Sequence, residues 1–180
     1  MVHDHDKTFY NYGNEHQECL SHVLRYLKDS IDNEPNLKWN KQMRELIQEM
    51  IHYRKNLEYG NELKSEKVTE YENKYMSILE LAKEEYEYEP PSNYYKEGFN
   101  LHLRLIKYKE SHLLFLHNIR VPTNNNLSER LLRVFKRKQK QVMAFRSKDS
   151  IHYLCNSMGM INLVRAKNEN LYTGISSIFD

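Results

Sequence analysis

The sequence Val121-Pro122-Thr123-Asn124-Asn125-Asn126-Leu127-Ser128-Glu129-Arg130 closes one run of helical periodicity and opens another. Pro122 ends the preceding pattern, because proline disfavours helix at the residue before it. Asn126 is a good N-cap, and Glu129 stands three positions on, where the second half of a capping box belongs. Capping therefore accounts for Asn126 and Glu129 with no further role. It accounts neither for three consecutive asparagines nor for the dense basic run after them. Arg130, Arg133, Lys136, Arg137, Lys138, Lys140, Arg146 and Lys148 come in quick succession, and no acidic residue interrupts them after Glu129. A carboxylate at a helix start beside such a cluster suits a metal ion, with the basic residues on phosphates.

The net charge of +2 conceals this segment. Residues 119–180 hold 11 Lys+Arg against 4 Asp+Glu, a local +7 that leaves −5 for the rest of the chain. A basic patch of this kind is the electrostatic footprint of a polyanion partner. The plainer account is a solvated basic face on an ordinary helix. Composition narrows the class further. A chain of 180 residues fits one domain, or one compact domain with an insertion. Hydrophobic residues make up 39% and the mean hydropathy is −0.85, low for a globule but above the disordered range. Five Gly and 4 Pro favour long helices over a sandwich or barrel. Two Cys cannot build a disulfide framework, so a reducing compartment is expected. Met1 to Tyr10 has no basic region followed by an apolar stretch, and the longest apolar run is about four residues where a membrane helix needs about 20. A soluble, cytoplasmic protein is the expectation.

Working outward from the asparagines, helical periodicity dominates. Leu20, Val23, Leu24 and Leu27 share a face over Cys19 to Ile31, after a short stretch from His16 that reads as a strand. Asp32-Asn33-Glu34-Pro35-Asn36 breaks the pattern. A second helix starts near Leu37, with Met43, Leu46, Ile47, Met50 and Ile51 in one stripe. Residues 58–89 carry ten Glu and four Lys around Tyr71, Tyr75, Ile78, Leu79 and Ala82, which predicts an acidic amphipathic helix ended by Pro90-Pro91. Another helix is predicted from Tyr95 to Leu116, with Leu101, Leu105, Ile106 and Leu113 inward. After the asparagines, a helix directs Leu127, Leu131, Leu132 and Phe135 inward. Val142-Met143-Ala144-Phe145 suits a turn or short strand. A long helix over Ile151 to Ala166 and a short amphipathic tail, Leu171 to Phe179, end the chain.

Two other places offer chemistry. His3-Asp4-His5-Asp6 mixes carboxylates, which take hard cations such as Mg²⁺, with imidazoles, which suit softer ones, although a polar chain end explains it equally. Cys19-Leu20-Ser21-His22 is a Cys-x-x-His pair. Structural zinc takes four ligands, and Cys155 stands at no ligand spacing, so zinc is not expected there. A buried Cys and a hydrogen-bonded His near a helix start are the plainer account.

Together these segments resemble the DDE transposases of the insertion sequence 66 family. Val2-His3-Asp4-His5, followed by Tyr10 and Tyr12, resembles the segment around the family's second catalytic Asp. His16 to Arg25 resembles its Cys-x-x-His-x-x-Arg stretch. Val121 to Arg130 resembles its Pro-x-x-Asn-Asn-x-x-Glu-Arg signature, with Asn125 and Asn126 as the Asn pair. Arg133, Lys138, Phe145 and Arg146-Ser147 continue the likeness, and Asn170 to Phe179 resembles the C-terminal extension.

The resemblance implies a mainly α chain: an incomplete ribonuclease-H-like (α/β) catalytic core interrupted by an α-helical insertion. Residues 1–31 would be part of the core, 32–118 the insertion, 119–166 the catalytic-Glu helix with the basic segment and the next helix, and 167–180 the extension. It implies two-metal phosphoryl transfer with Mg²⁺ or Mn²⁺, the two ions about 3.5–4 Å apart. Asp4 and Glu129 would be catalytic acids and metal ligands, with Cys19, His22, Asn125 and Asn126 in support. Arg130, Arg133, Lys136, Arg137, Lys138, Lys140 and Arg146 would contact DNA at transposon ends and target. The family's first Asp belongs upstream of Asp4, so an inactive C-terminal fragment is expected, with the missing N-terminal part or a second copy as partner. The competing expectation is a non-catalytic helical nucleic-acid-binding module that uses 130–148.

Overall fold

The computed structural model describes residues 1–57, 63–141, 145–167 and 170–177. Val142-Met143-Ala144, expected as a turn or strand, lies outside the described residues, as do 58–62 of the acidic helix, 168–169, and 178–180 of the tail. The chain divides into two compact units, Met1–Asn125 and Asn126–Asp180.

The first unit begins with two very short strands, β1 (Val2–His3) and β2 (Gln17–Glu18), with a 3₁₀ turn at Lys7–Asn11 between them. They pair in parallel, Val2 opposite Gln17 and His3 opposite Glu18. Five helices follow: α1 (Leu20–Asn33), α2 (Trp39–Lys55), α3 (Ser65–Tyr88), α4 (Glu97–Lys107) and α5 (Lys109–His117). α1 packs on α2 and α4, and α2 on α3. The stripes read from the sequence form one core, with Leu20, Val23 and Leu27 of α1 against Trp39, Met43, Ile47 and Met50 of α2 and Tyr71, Tyr75 and Leu79 of α3.

The helix ends have local causes. α1 stops before Pro35, and α2 begins where Glu85 of α3 reaches across to accept the N–H groups of Lys38 and Trp39 at 3.0 Å. This carboxylate supplies from another helix what an N-cap side chain supplies locally.

The single helix expected over Tyr95 to Leu116 is two, because Tyr108 leaves helical geometry at φ −112°, ψ 29°. Its ring stacks on Tyr10, 4.6 Å between centroids. Ile106, expected inward, is exposed, and His102 and His112 are buried among the apolar positions instead. The reason is that both imidazoles find polar partners inside: His102 Nε2 lies 3.2 Å from the Leu79 carbonyl, and His112 meets Glu18. Among the described residues strand structure is confined to β1 and β2, so the fold is mainly α. No described helix is long and apolar enough to cross a membrane.

The second unit holds α6 (Asn126–Gln141), α7 (Lys148–Ala166) and α8 (Leu171–Ser176). Ser147 caps α7 through the Ser150 N–H at 3.2 Å, and Asn170 caps α8 through the Tyr172 N–H at 3.0 Å. α6 starts at Asn126 itself, one residue before an N-cap role would have it. Leu127, Leu131 and Leu132, expected inward, are exposed, and Phe135 is half-buried. A unit of this size encloses too little volume to cover every apolar face of its helices.

Candidate functional site

The parallel register brings the first unit's chemistry together. His3 lies opposite Glu18, so Asp4 and Cys19, one residue further on, emerge side by side at the carboxyl end of the pair. The Cys19 N–H donates to the His3 carbonyl at 2.8 Å, which fixes that relation. Cys19 is also the N-terminal flanking residue of α1, so His22 sits in the first helical turn. A residue three positions into a helix lies above its start, and His22 Nδ1 is 2.8 Å from Asp4 Oδ1. The loop before α6 arrives from the other side. The Leu20 N–H donates to the Thr123 carbonyl at 2.9 Å, and two residues later Asn125 Nδ2 donates to Asp4 Oδ1 at 3.0 Å.

Residues spread over 121 positions of sequence thus converge on one carboxylate. Cys19 is buried, while the Asp4 side chain keeps 45% of its surface exposed. Asp4, Cys19 and His22 each offer a ligand atom, all within 4.8 Å of one another. Asn125 Oδ1 is buried without a hydrogen-bond partner among the described residues. A carboxylate half open to solvent, beside an orphaned carbonyl-type oxygen, fits a divalent cation.

Beneath Asp4 lies a charged network that the sequence did not reveal. Glu18 is fully buried. Its Oε1 lies 2.7 Å from His5 Nδ1 and accepts from the Tyr10 hydroxyl at 2.6 Å. Its Oε2 accepts from Arg104 through Nε, at 2.9 Å, and through Nη2, and lies 3.1 Å from His112 Nε2. Burial opposes the charge, but His112, Tyr10 and Arg104 outweigh it and hold the carboxyl well below the usual carboxylate range. Complete burial drives His112 below the ordinary imidazole value. Glu18 is therefore an ionised partner of Arg104, and His112 a neutral donor. His5 directly follows Asp4, so this network anchors the loop that bears Asp4 onto α4 and α5. The one available signal was a charged residue in a strand position, between Gln17 and Cys19.

In the second unit, Glu129 occupies the first turn of α6 and pairs with Arg133 at 3.3 Å. Asn126 is the first residue of the same helix. Arg130, Arg133, Lys136, Arg137, Lys138, Lys140 and Arg146 lie at least partly open to solvent. Those from Arg130 to Lys140 make α6 densely cationic, with Glu129 as its single acidic residue.

No curated protein and no solved structure matches the chain. The model of the transposase IS66 family matches residues 1–152, which takes in Asp4, the Cys-x-x-His turn, the asparagine loop and the basic helix. The chain belongs to the IS66 family of transposases.

Proposed function

We propose that this chain carries part of the phosphoryl-transfer apparatus of DNA transposition, with Asp4 and Glu129 as catalytic acids. The observation that supports it most is the seat of Asp4 at the carboxyl end of parallel strands, where open α/β proteins bind their ligands. In this reading β1, β2 and α1 belong to a ribonuclease-H-like core, and residues 32–118 are a helical insertion. Residues 119–166 bring the second acid and the basic segment, and 167–180 extend the chain.

Each residue then has a task. Asp4 and Glu129 offer carboxylates to divalent cations, Mg²⁺ or Mn²⁺. Bound there, such ions would supply a Lewis acid to activate a water or a DNA 3′-hydroxyl and to steady the leaving oxygen. His22 and Asn125 both hold the same oxygen of Asp4, Oδ1, and so fix its rotamer. Arg130, Arg133, Lys136, Arg137, Lys138, Lys140 and Arg146 hold phosphates of transposon-end and target DNA, contacts that position the duplex without reading its sequence. A second copy, or another segment of a transposase, is the protein partner.

Binding of the full chain to labelled duplex DNA, with and without Mn²⁺, tests this reading. Lys136, Arg137, Lys138 and Lys140 all changed to Glu should weaken binding at least about tenfold and flatten its salt dependence. Mn²⁺ should tighten wild-type binding, and Asp4→Asn should remove that increment alone. Charge reversal without loss of binding would overturn the reading. Loss on charge reversal with no effect of Mn²⁺ would leave a non-catalytic nucleic-acid-binding module.

A further inference from the structure

Beside the loop that bears Asp4, α1 and α4 leave a cleft of about 470 Å³. That volume lies within the range of about 300–1,000 Å³ common to small-ligand sites. It admits one nucleotide and is far too small for a duplex.

Charge is sorted along this cleft. One end adjoins the candidate catalytic acid: His5, the residue after Asp4, lines it together with Lys7, Lys107 and Tyr108. His5 and Tyr108 meet edge to face at 5.3 Å, and Lys107 Nζ lies 5.1 Å from the Tyr108 ring. Lys7 and Lys107 are both exposed, whereas Arg104 is already held by Glu18. Asp29 and Glu97 line the other end, where the Tyr95 hydroxyl donates to Asp29 Oδ2 at 3.5 Å. About 15 Å of α4 separates Glu97 from Lys107, so the two signs are kept apart.

Between these ends Tyr26 of α1 faces α4. The Arg104 guanidinium lies 5.2 Å from the centroid of its ring, and Arg25 approaches to 5.9 Å. Tyr26 remains 40% exposed. Tyr108 is committed to its stack on Tyr10, so Tyr26 is the ring with surface to offer a ligand. Tyrosine faces and guanidinium planes stack on unpaired bases, while lysines follow the phosphates. Carboxylates such as Asp29 and Glu97 accept hydrogen bonds from the exocyclic amino group of a base. A nucleotide uses both ends of the cleft. An acidic peptide would meet Asp29 and Glu97, and an apolar ligand would leave the charges at both ends unpaired.

We infer that the α1–α4 cleft binds one unpaired nucleotide of single-stranded DNA, with its base against Tyr26 and its phosphate toward Lys7 and Lys107. The site rests on reading the chain as part of a DNA transposition apparatus. It adds a place for a nucleotide that has left the duplex, with the phosphate on the side of Asp4.

Fluorescence anisotropy of the full chain with two labelled probes tests this: a short single-stranded oligocytidylate and a blunt duplex. Tyr26→Ala should weaken single-strand binding about fivefold or more, because the stack is lost, and leave duplex binding as it is. Tyr26→Phe, which keeps the ring, should bind the single strand like wild type. Lys107→Gln should weaken single-strand binding and flatten its salt dependence. An abasic strand should bind wild type no better than the oligocytidylate binds Tyr26→Ala. Should Tyr26→Ala not fold, Lys107→Gln and the abasic strand decide.

Single-strand binding that is unchanged in Tyr26→Ala, or equal for the abasic strand, overturns the inference. Duplex binding lost on charge reversal of Lys136, Arg137, Lys138 and Lys140 then leaves the proposed function standing. Failure of wild type to bind either probe overturns both.

Discussion

Glu18 is the residue whose environment says most about how this chain is built. A fully buried carboxylate is stable only if its partners replace the water it loses, and four side chains do so here. Glu18→Gln would leave Arg104 inside without its counter-charge, which costs about 3–5 kcal/mol for a broken buried pair. Urea unfolding should show that loss, and replacing Glu18 and Arg104 together with Leu and Met should recover much of it. A cost for the double change equal to the sum of the singles would refute the pairing. Asp4, Cys19, His22 and Asn125 stood out in the sequence because each belongs to a recognisable local motif. Glu18 and Arg104 did not, because partners 86 positions apart leave no periodic trace.

Among the elements, α1 to α3 follow their apolar stripes closely, since one buried face at 3.6-residue spacing is enough to define a helix. Other features depend on tertiary contacts and were not legible. The break at Tyr108 and the cap that Glu85 lends to α2 are of this kind. So is the approach of α4 to α1 at Gly98. A Cβ at Gly98 would fall 2.9 Å from Ser30 Oγ and collide with the Glu34 carboxylate. Glu34 accepts there from the Ser30 and Tyr86 hydroxyls, at 2.9 and 3.0 Å. Gly98→Ala should therefore destabilise the first unit by about 1–3 kcal/mol, the usual cost of overpacking. A thermal midpoint unchanged from wild type would show that α4 yields without cost. The exposed leucines of α6 mark the opposite failure, since an apolar stripe predicts a buried face but not what covers it.

The whole molecule couples its stability to pH through buried imidazoles. Burial holds both His102 and His112 below the ordinary value of 6.5. The unfolded chain therefore binds protons near pH 6.5 that the folded chain refuses. Their stabilising contribution is complete above that value and is lost as pH falls through it. Glu34, pushed up by burial, has the opposite sign: the folded chain binds its proton first as pH falls toward 4.5. The urea midpoint should be lower at pH 5.5 than at 7.5, and His102→Gln should reduce the difference; equal midpoints at the two values would contradict the assignment. The molecule is also divided in charge, with the basic segment beyond residue 126 and the Asp4 seat before it. The role of the chain in phosphoryl transfer depends most on that seat being a cation site. Mn²⁺ titration followed by electron paramagnetic resonance measures it directly on the full chain. A cation site at Asp4 predicts saturable binding to the wild type that Asp4→Asn abolishes with the fold intact, and equal binding to both proteins would contradict it.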